Sequence, residues 1–161
     1  MYLISYGTRP ELIKLFPLIN IFKENNIDHK TIFTGQHEDL IKEFENLTHR
    51  PDFVLEKTMK HKQSINSLIY KIINESQKII NSYDCKVIIQ GDAASSFAVA
   101  LSAFNEGKEV IHVEAGLRTH NLRSPFPEEG FRKMISHISN IHFCPTIKSV
   151  ENLKNEGITE N

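Results

Sequence analysis

The chain has 161 residues, 40% of them hydrophobic and 24% charged, with a net charge of -1. That is one domain of ordinary size, able to bury a core and too apolar for a disordered chain. The charge balance gives no broad attraction for nucleic acid or an anionic membrane. The apolar runs are shorter than a membrane span, and the N-terminus lacks a signal pattern.

Taken in chain order, Tyr2-Leu-Ile-Ser-Tyr6 reads as a short apolar strand running into a glycine turn, Gly7-Thr-Arg-Pro-Glu11. Thr8 is placed to cap a helix, with Pro10 and Glu11 in its first turn, and Leu12, Leu15, Phe16, Ile19 and Phe22 recur at helical spacing. A second strand is predicted at 31–34, ending at Gly35-Gln-His37, then a helix over 38–45. The stretch 46–62 is polar and irregular, with a short strand at 53–55. A long helix over 63–82 carries Ile65, Leu68, Ile69, Ile72, Ile73, Ile79 and Ile80. Lys86-Val-Ile-Ile-Gln90 reads as a buried parallel strand, turned by Gly91-Asp92 into a small-residue helix over 93–105. A strand over 110–113, a long polar loop, a helix over 127–139, a strand over 141–144 and a helix over 146–155 complete the chain. Strands alternating with helices predict an α/β fold, a parallel sheet covered on both faces. Cys85 and Cys144 border apolar runs and read as reduced thiols, in keeping with a cytoplasmic location.

The chemistry concentrates in three places. At Gly7-Thr-Arg-Pro-Glu11 main-chain N–H groups and a helix N-terminus would suit an anion, with Arg9 closing over it, or form only a tight capped turn. Lys14 lies about one turn further, off the apolar stripe. At Gln90-Gly-Asp92 the aspartate sits at the carboxyl end of the most hydrophobic strand, where it could cap the next helix, serve chemistry or do both. The segment 112–132 holds Glu114, Glu128 and Glu129 beside Arg118, Arg123 and Arg132. Glu128 and Arg132 stand four residues apart on a helix and could be a plain surface pair. Pro125 and Pro127 stiffen the loop before them. His112 reads as a core histidine and His37 as a loop residue. Four of the five arginines fall in these motifs, which favours a local anion site. Carboxylates beside guanidinium groups suggest acid–base work on a phosphorylated substrate.

Together, Gly7-Thr-Arg-Pro-Glu-Leu-Ile-Lys14, Thr34-Gly-Gln-His37, Gln90-Gly-Asp92, His112-Val-Glu-Ala-Gly-Leu-Arg-Thr119 and Ser124-Pro-Phe-Pro-Glu-Glu-Gly-Phe-Arg132 resemble the non-hydrolysing UDP-N-acetylglucosamine 2-epimerase family. The resemblance implies one half of a glycosyltransferase-B-type pair of Rossmann-like domains. Residues 1–161 would be the N-terminal half, with the nucleotide-binding C-terminal domain absent from this chain. It implies inversion at C2 of UDP-N-acetylglucosamine by elimination of UDP to a 2-acetamidoglucal and re-addition, with no metal or other cofactor. Asp92, Glu114 and Glu128 match the family's catalytic carboxylates. Arg9, Lys14 and Arg132 match its basic site residues, and Arg118 is taken with them as substrate-binding. Gln36 and His37 match positions linked to a second, activating UDP-N-acetylglucosamine. The expected partners are UDP-N-acetylglucosamine and UDP, the missing domain or a complementary chain, and a second copy in a homodimer; nucleic acid and membrane are not expected. Ala93-Ala-Ser-Ser96 departs from the family's threonines, and Gly130 inside the last motif should weaken its helix by ~1 kcal/mol against alanine. The other readings are a transferase half of the same architecture and a non-catalytic remnant or interaction domain.

Overall fold

In a computed structural model of the chain, residues 1–35, 50–55 and 63–159 are described. Gln36 and His37, and the helix expected over 38–45, lie outside them. The elements are β1 (Tyr2–Tyr6), α1 (Arg9–Glu24), β2 (His29–Phe33), β3 (Phe53–Val54), α2 (Ile65–Asn81), β4 (Lys86–Gln90), α3 (Ala94–Asn105), β5 (Val110–Val113), α4 (Glu128–Ile138), β6 (Ile141–Phe143) and α5 (Ile147–Asn155). The strands form one parallel sheet in the order β3-β2-β1-β4-β5-β6. This is the doubly wound order of Rossmann-like domains, in which the chain reverses its direction of winding between β1 and β4.

Alternation along each strand divides the apolar residues between two layers. Leu3, Ile32, Val87, Ile89 and Val110 pack with Leu68 and Ile72 of α2, Val99 and Ala103 of α3, and Phe131 and Ile135 of α4. Ile4, Phe33, Ile88 and Ile111 face the other way, onto Leu12, Leu15, Ile19 and Phe22 of α1. A sheet buried on both faces explains why β4 reads as a continuous apolar run, since neither side of it meets water. The small side chains of α3 let it lie close between α2 and α4, and Phe97 stacks on Phe131 with ring centroids 4.9 Å apart.

The ends of the helices are set by local chemistry. Thr8 caps α1 in a capping box with Glu11, Ser64 caps α2 and Thr146 caps α5. Among the described residues Asp92 caps no helix: the N-cap of α3 is Ala93, which makes no side-chain hydrogen bond. Cys85 precedes β4 and Cys144 follows β6, so the two free thiols sit at opposite ends of the sheet. Among the described residues no helix is long and apolar enough to cross a membrane.

Candidate active site

The carboxyl ends of β1, β4 and β5 lie side by side, and the segments leaving them carry the candidate residues. The loop after β1 leads to Lys14 on α1, Gly91-Asp92 follows β4, and Glu114 follows β5. Ligands of open α/β sheets sit at such a reversal of strand order.

Glu114 is left-handed, at φ +67. A non-glycine residue is seldom held there without a surrounding structure that enforces it. Its carboxylate is gripped from two elements: Lys14 Nζ lies 2.7 and 2.6 Å from its two oxygens, and Gln90 Nε2 donates to Oε2. Lys14 therefore holds a carboxylate 100 residues away in sequence.

Arg132 of α4 makes the second bridge. Its Nε donates to Asp92 Oδ2 at 2.7 Å and its Nη1 to Glu129 Oε2 at 3.2 Å. The surface pair between Glu128 and Arg132 that their spacing suggested is replaced by these two partners. Glu129 is buried and also accepts the backbone N–H groups of Thr119 and His120, each at 3.0 Å. Burial opposes its charge, but those N–H groups and Arg132 outweigh it and hold the carboxyl below its ordinary value. Glu129 thus ties the start of the polar loop to α4. Within that loop the Thr119 hydroxyl donates to Ser124 O at 2.7 Å, and the peptide bonds before Pro125 and Pro127 are cis.

Glu128, next along the helix, differs from both other candidates. Its Oε2 is buried and has no hydrogen-bond partner among the described residues. A buried acceptor left unpaired is uncommon, because losing hydration without replacement is costly. The first turn of α4 thus presents one carboxylate that is tied down, Glu129, and one that is not.

Two expectations are corrected. The N–H groups of Gly7 and Thr8, suited to a ligand anion, instead donate to the Glu11 carboxylate of the same chain; Arg9 stands exposed at the start of α1. Arg118 does not reach the cleft. Its side chain has 0% exposure, and its Nε and Nη2 bind Glu156 at 3.0 and 2.7 Å, with Ser136 Oγ 2.9 Å from Nη2. A guanidinium enclosed in this way braces α5 against α4 and is not open to substrate. His112 is the core histidine expected: it is buried, its Nε2 lies 2.8 Å from Gly91 O, and burial pushes its pKa down to about 4. A neutral ring donating to Gly91 O steadies the turn that carries Asp92.

Sequence reasoning missed the work of Glu129, Gln90 and Glu11. The capping-box spacing of Thr8 and Glu11 was a visible signal for the last of these. Nothing local marks Gln90, whose partner Glu114 lies just past the end of the neighbouring strand.

A family model described as UDP-N-acetylglucosamine 2-epimerase matches residues 20–161. The chain is 38% identical over 158 residues to the UDP-N-acetylglucosamine 2-epimerase of Campylobacter jejuni, covering 96% of this chain and 41% of that protein. Against the enzyme of that name from Neisseria meningitidis it is 39% identical over 160 residues, 97% of this chain and 42% of that one. The solved structure of UDP-GlcNAc 2-epimerase from Neisseria meningitidis bound to UDP-GlcNAc aligns with a TM-score of 0.91 at 37% identity, over 98% of this chain and 43% of that chain. The Methanocaldococcus jannaschii UDP-GlcNAc 2-epimerase in complex with UDP-GlcNAc and UDP aligns with a TM-score of 0.90 at 36% identity, over 100% and 45%. The chain thus spans about two fifths of the length of the curated relatives it matches.

Proposed function

Because the chain belongs to the UDP-N-acetylglucosamine 2-epimerase family, we infer that it is the acid–base half of an enzyme interconverting UDP-N-acetylglucosamine and UDP-N-acetylmannosamine. The observation that carries this reading is the set of three carboxylates at one end of the sheet, Asp92, Glu114 and Glu128, each under a different restraint.

The chemistry asks for that difference. The C2 proton of the sugar is weakly acidic, so its removal has to accompany departure of the diphosphate from C1. A base takes the C2 proton, the C1–O bond breaks, and a C1=C2 double bond remains. UDP then returns to C1 while an acid delivers a proton to the opposite face of C2. An oxygen already engaged by a cationic donor has to give up that partner to take a proton, and an oxygen without one does not. Glu128 is on this ground assigned the proton transfer on one face. Glu114, held by Lys14 and Gln90, and Asp92, held by Arg132, are assigned to the other face and to fixing the sugar.

In the same reading Arg9, Lys14 and Arg132 hold the diphosphate between the two steps, Lys14 exchanging Glu114 for a phosphate oxygen. Residues 1–161 form the N-terminal half of a glycosyltransferase-B-type pair, and a second domain supplies the nucleotide-binding wall and further catalytic groups. The complete enzyme is a cytoplasmic homodimer, and Gln36 and His37 contact a second, activating UDP-N-acetylglucosamine.

The test is to incubate the chain with UDP-N-acetylglucosamine in D2O, alone and with the second domain of a family member, reading the C2 proton by NMR. Exchange is expected only in the mixture. Exchange by the chain alone would show that it needs no second half. Silence in both, with the protein folded, would remove the epimerase reading.

A further inference from the structure

The first strand–helix turn of a doubly wound sheet is where phosphates ordinarily rest, on main-chain N–H groups and the positive end of a helix. In this chain that place is filled from within. Glu11 is 3% exposed, and its Oε2 accepts from the N–H groups of Gly7 and Thr8. Its Oε1 faces the hydroxyls of Ser96 at 2.9 Å and Ser95 at 3.4 Å, in the first turn of α3. The Ser96 hydroxyl also lies 2.7 Å from Gln90 O, at the end of β4.

One carboxyl group therefore joins the β1–α1 turn to α3 at the point where the strand order reverses, and Ser96 carries the contact on to β4. The turn itself is closely packed. A Cβ on Gly7 would lie 2.1 Å from Thr34 Oγ1 and 2.8 Å from Ser95 Oγ, so the turn is pressed directly onto its neighbours. Two backbone donors and two hydroxyls converging on a buried carboxyl group are the contacts that a bound phosphate would receive.

We propose that the Glu11 carboxyl group is a built-in occupant that closes the phosphate cradle of the first strand–helix turn and bars phosphate from the main-chain donors of that turn. Any phosphate entering the cleft must then be met by exposed cationic side chains or by another domain. The proposal stands on the geometry of the turn and holds whether or not the chain takes part in epimerisation.

Amide NMR on the 15N-labelled chain tests it, with inorganic phosphate and formate as probes and chloride as the ionic-strength control. In the wild type, millimolar phosphate should leave the Gly7 and Thr8 amides where chloride leaves them; a saturable shift of both would overturn the proposal. In Glu11→Ala, formate should move both amides and raise the melting temperature, whereas chloride should do neither. A folded Glu11→Ala protein that ignores formate would overturn it equally. Should that variant not fold, Glu11→Gln decides. The wild-type Gly7 and Thr8 amides should share one acid titration that Glu11→Gln lacks, and its persistence in Glu11→Gln would sink the idea.

Discussion

Replacing Glu156 by glutamine separates a structural Arg118 from a substrate-binding one. Glu156 is 17% exposed and takes both ends of the Arg118 fork, with Lys133 Nζ a further 3.2 Å from Oε1. The Arg118 hydrogen bonds lead the effect, outweighing burial with help from the Arg118 and Lys133 charges, and hold the Glu156 pKa at about 2 in place of 4.5. Because the folded value is depressed, the stabilisation is fully present above pH 4.5 and is lost as pH falls towards 2. At ~1.4 kcal/mol per pH unit it amounts to about 3 kcal/mol at pH 7 and to roughly half of that at pH 3. Glu156→Gln should therefore lose about 2–4 kcal/mol in urea unfolding at pH 7, since it also leaves a buried guanidinium without its counter-charge. The gap should shrink by roughly half at pH 3. Exchanging the pair together, as Arg118→Met with Glu156→Leu, should recover most of the loss, because the unpaired charge is then gone. A gap under ~0.5 kcal/mol at pH 7, or one that stays constant down to pH 3, would refute the reasoning and return Arg118 to the list of ligand contacts.

Three further outcomes are expected. Glu128→Gln should keep the melting temperature within a few degrees, since no ion pair among the described residues is removed, while C2 exchange in the reconstituted enzyme falls by about 10²-fold or more; unfolding would instead mark a structural carboxylate. At the two glycines the signs should oppose each other in denaturant unfolding. Gly116→Ala places a Cβ 2.3 Å from Ser149 O at φ +81 and should destabilise by about 2–4 kcal/mol. Gly130→Ala has nothing within 4 Å and should stabilise α4 by about 0.5–1 kcal/mol. Finally, the His112 ring should stay neutral in NMR titrations from pH 8 down to about 5. Its folded pKa of about 4 lies below the ordinary 6.5, so stability should decline as pH drops through that window; a ring charging near pH 6.5 would contradict its buried place.

The order and type of the described elements were legible because each is written in a local period. β4 is built on a three-residue apolar run, Val87-Ile-Ile89, with no alternation, the mark of a strand buried on both faces, and the strand extends one polar residue beyond it at each end. The expected helix over 63–82 is observed as α2, Ile65–Asn81, because its isoleucines repeat at 3.6 and Ser64 caps it. Asp92 and Glu114 were likewise visible as polar groups just beyond apolar strands, since polar side chains at strand ends are cheap only where the sheet opens to a cleft, and Lys14 as a cation off the apolar stripe of α1.

Pairing was not legible. Helical spacing offers Arg132 either Glu128, four residues away, or Glu129, three away; the guanidinium takes Glu129 and crosses to Asp92, 40 residues away. Lys14 and Glu114 are brought together by the order β1-β4-β5, a property of how the sheet closes over its two cores. The same closure buries Arg118 beside Glu156, so a residue inside a catalytic-looking motif becomes a brace. Hydrophobic period determined which segments are strands and helices, because that choice depends on neighbours along the chain. Which charge meets which depended on strand order and layer packing, because a long side chain pairs with whatever carboxylate the fold sets within about 3 Å of it.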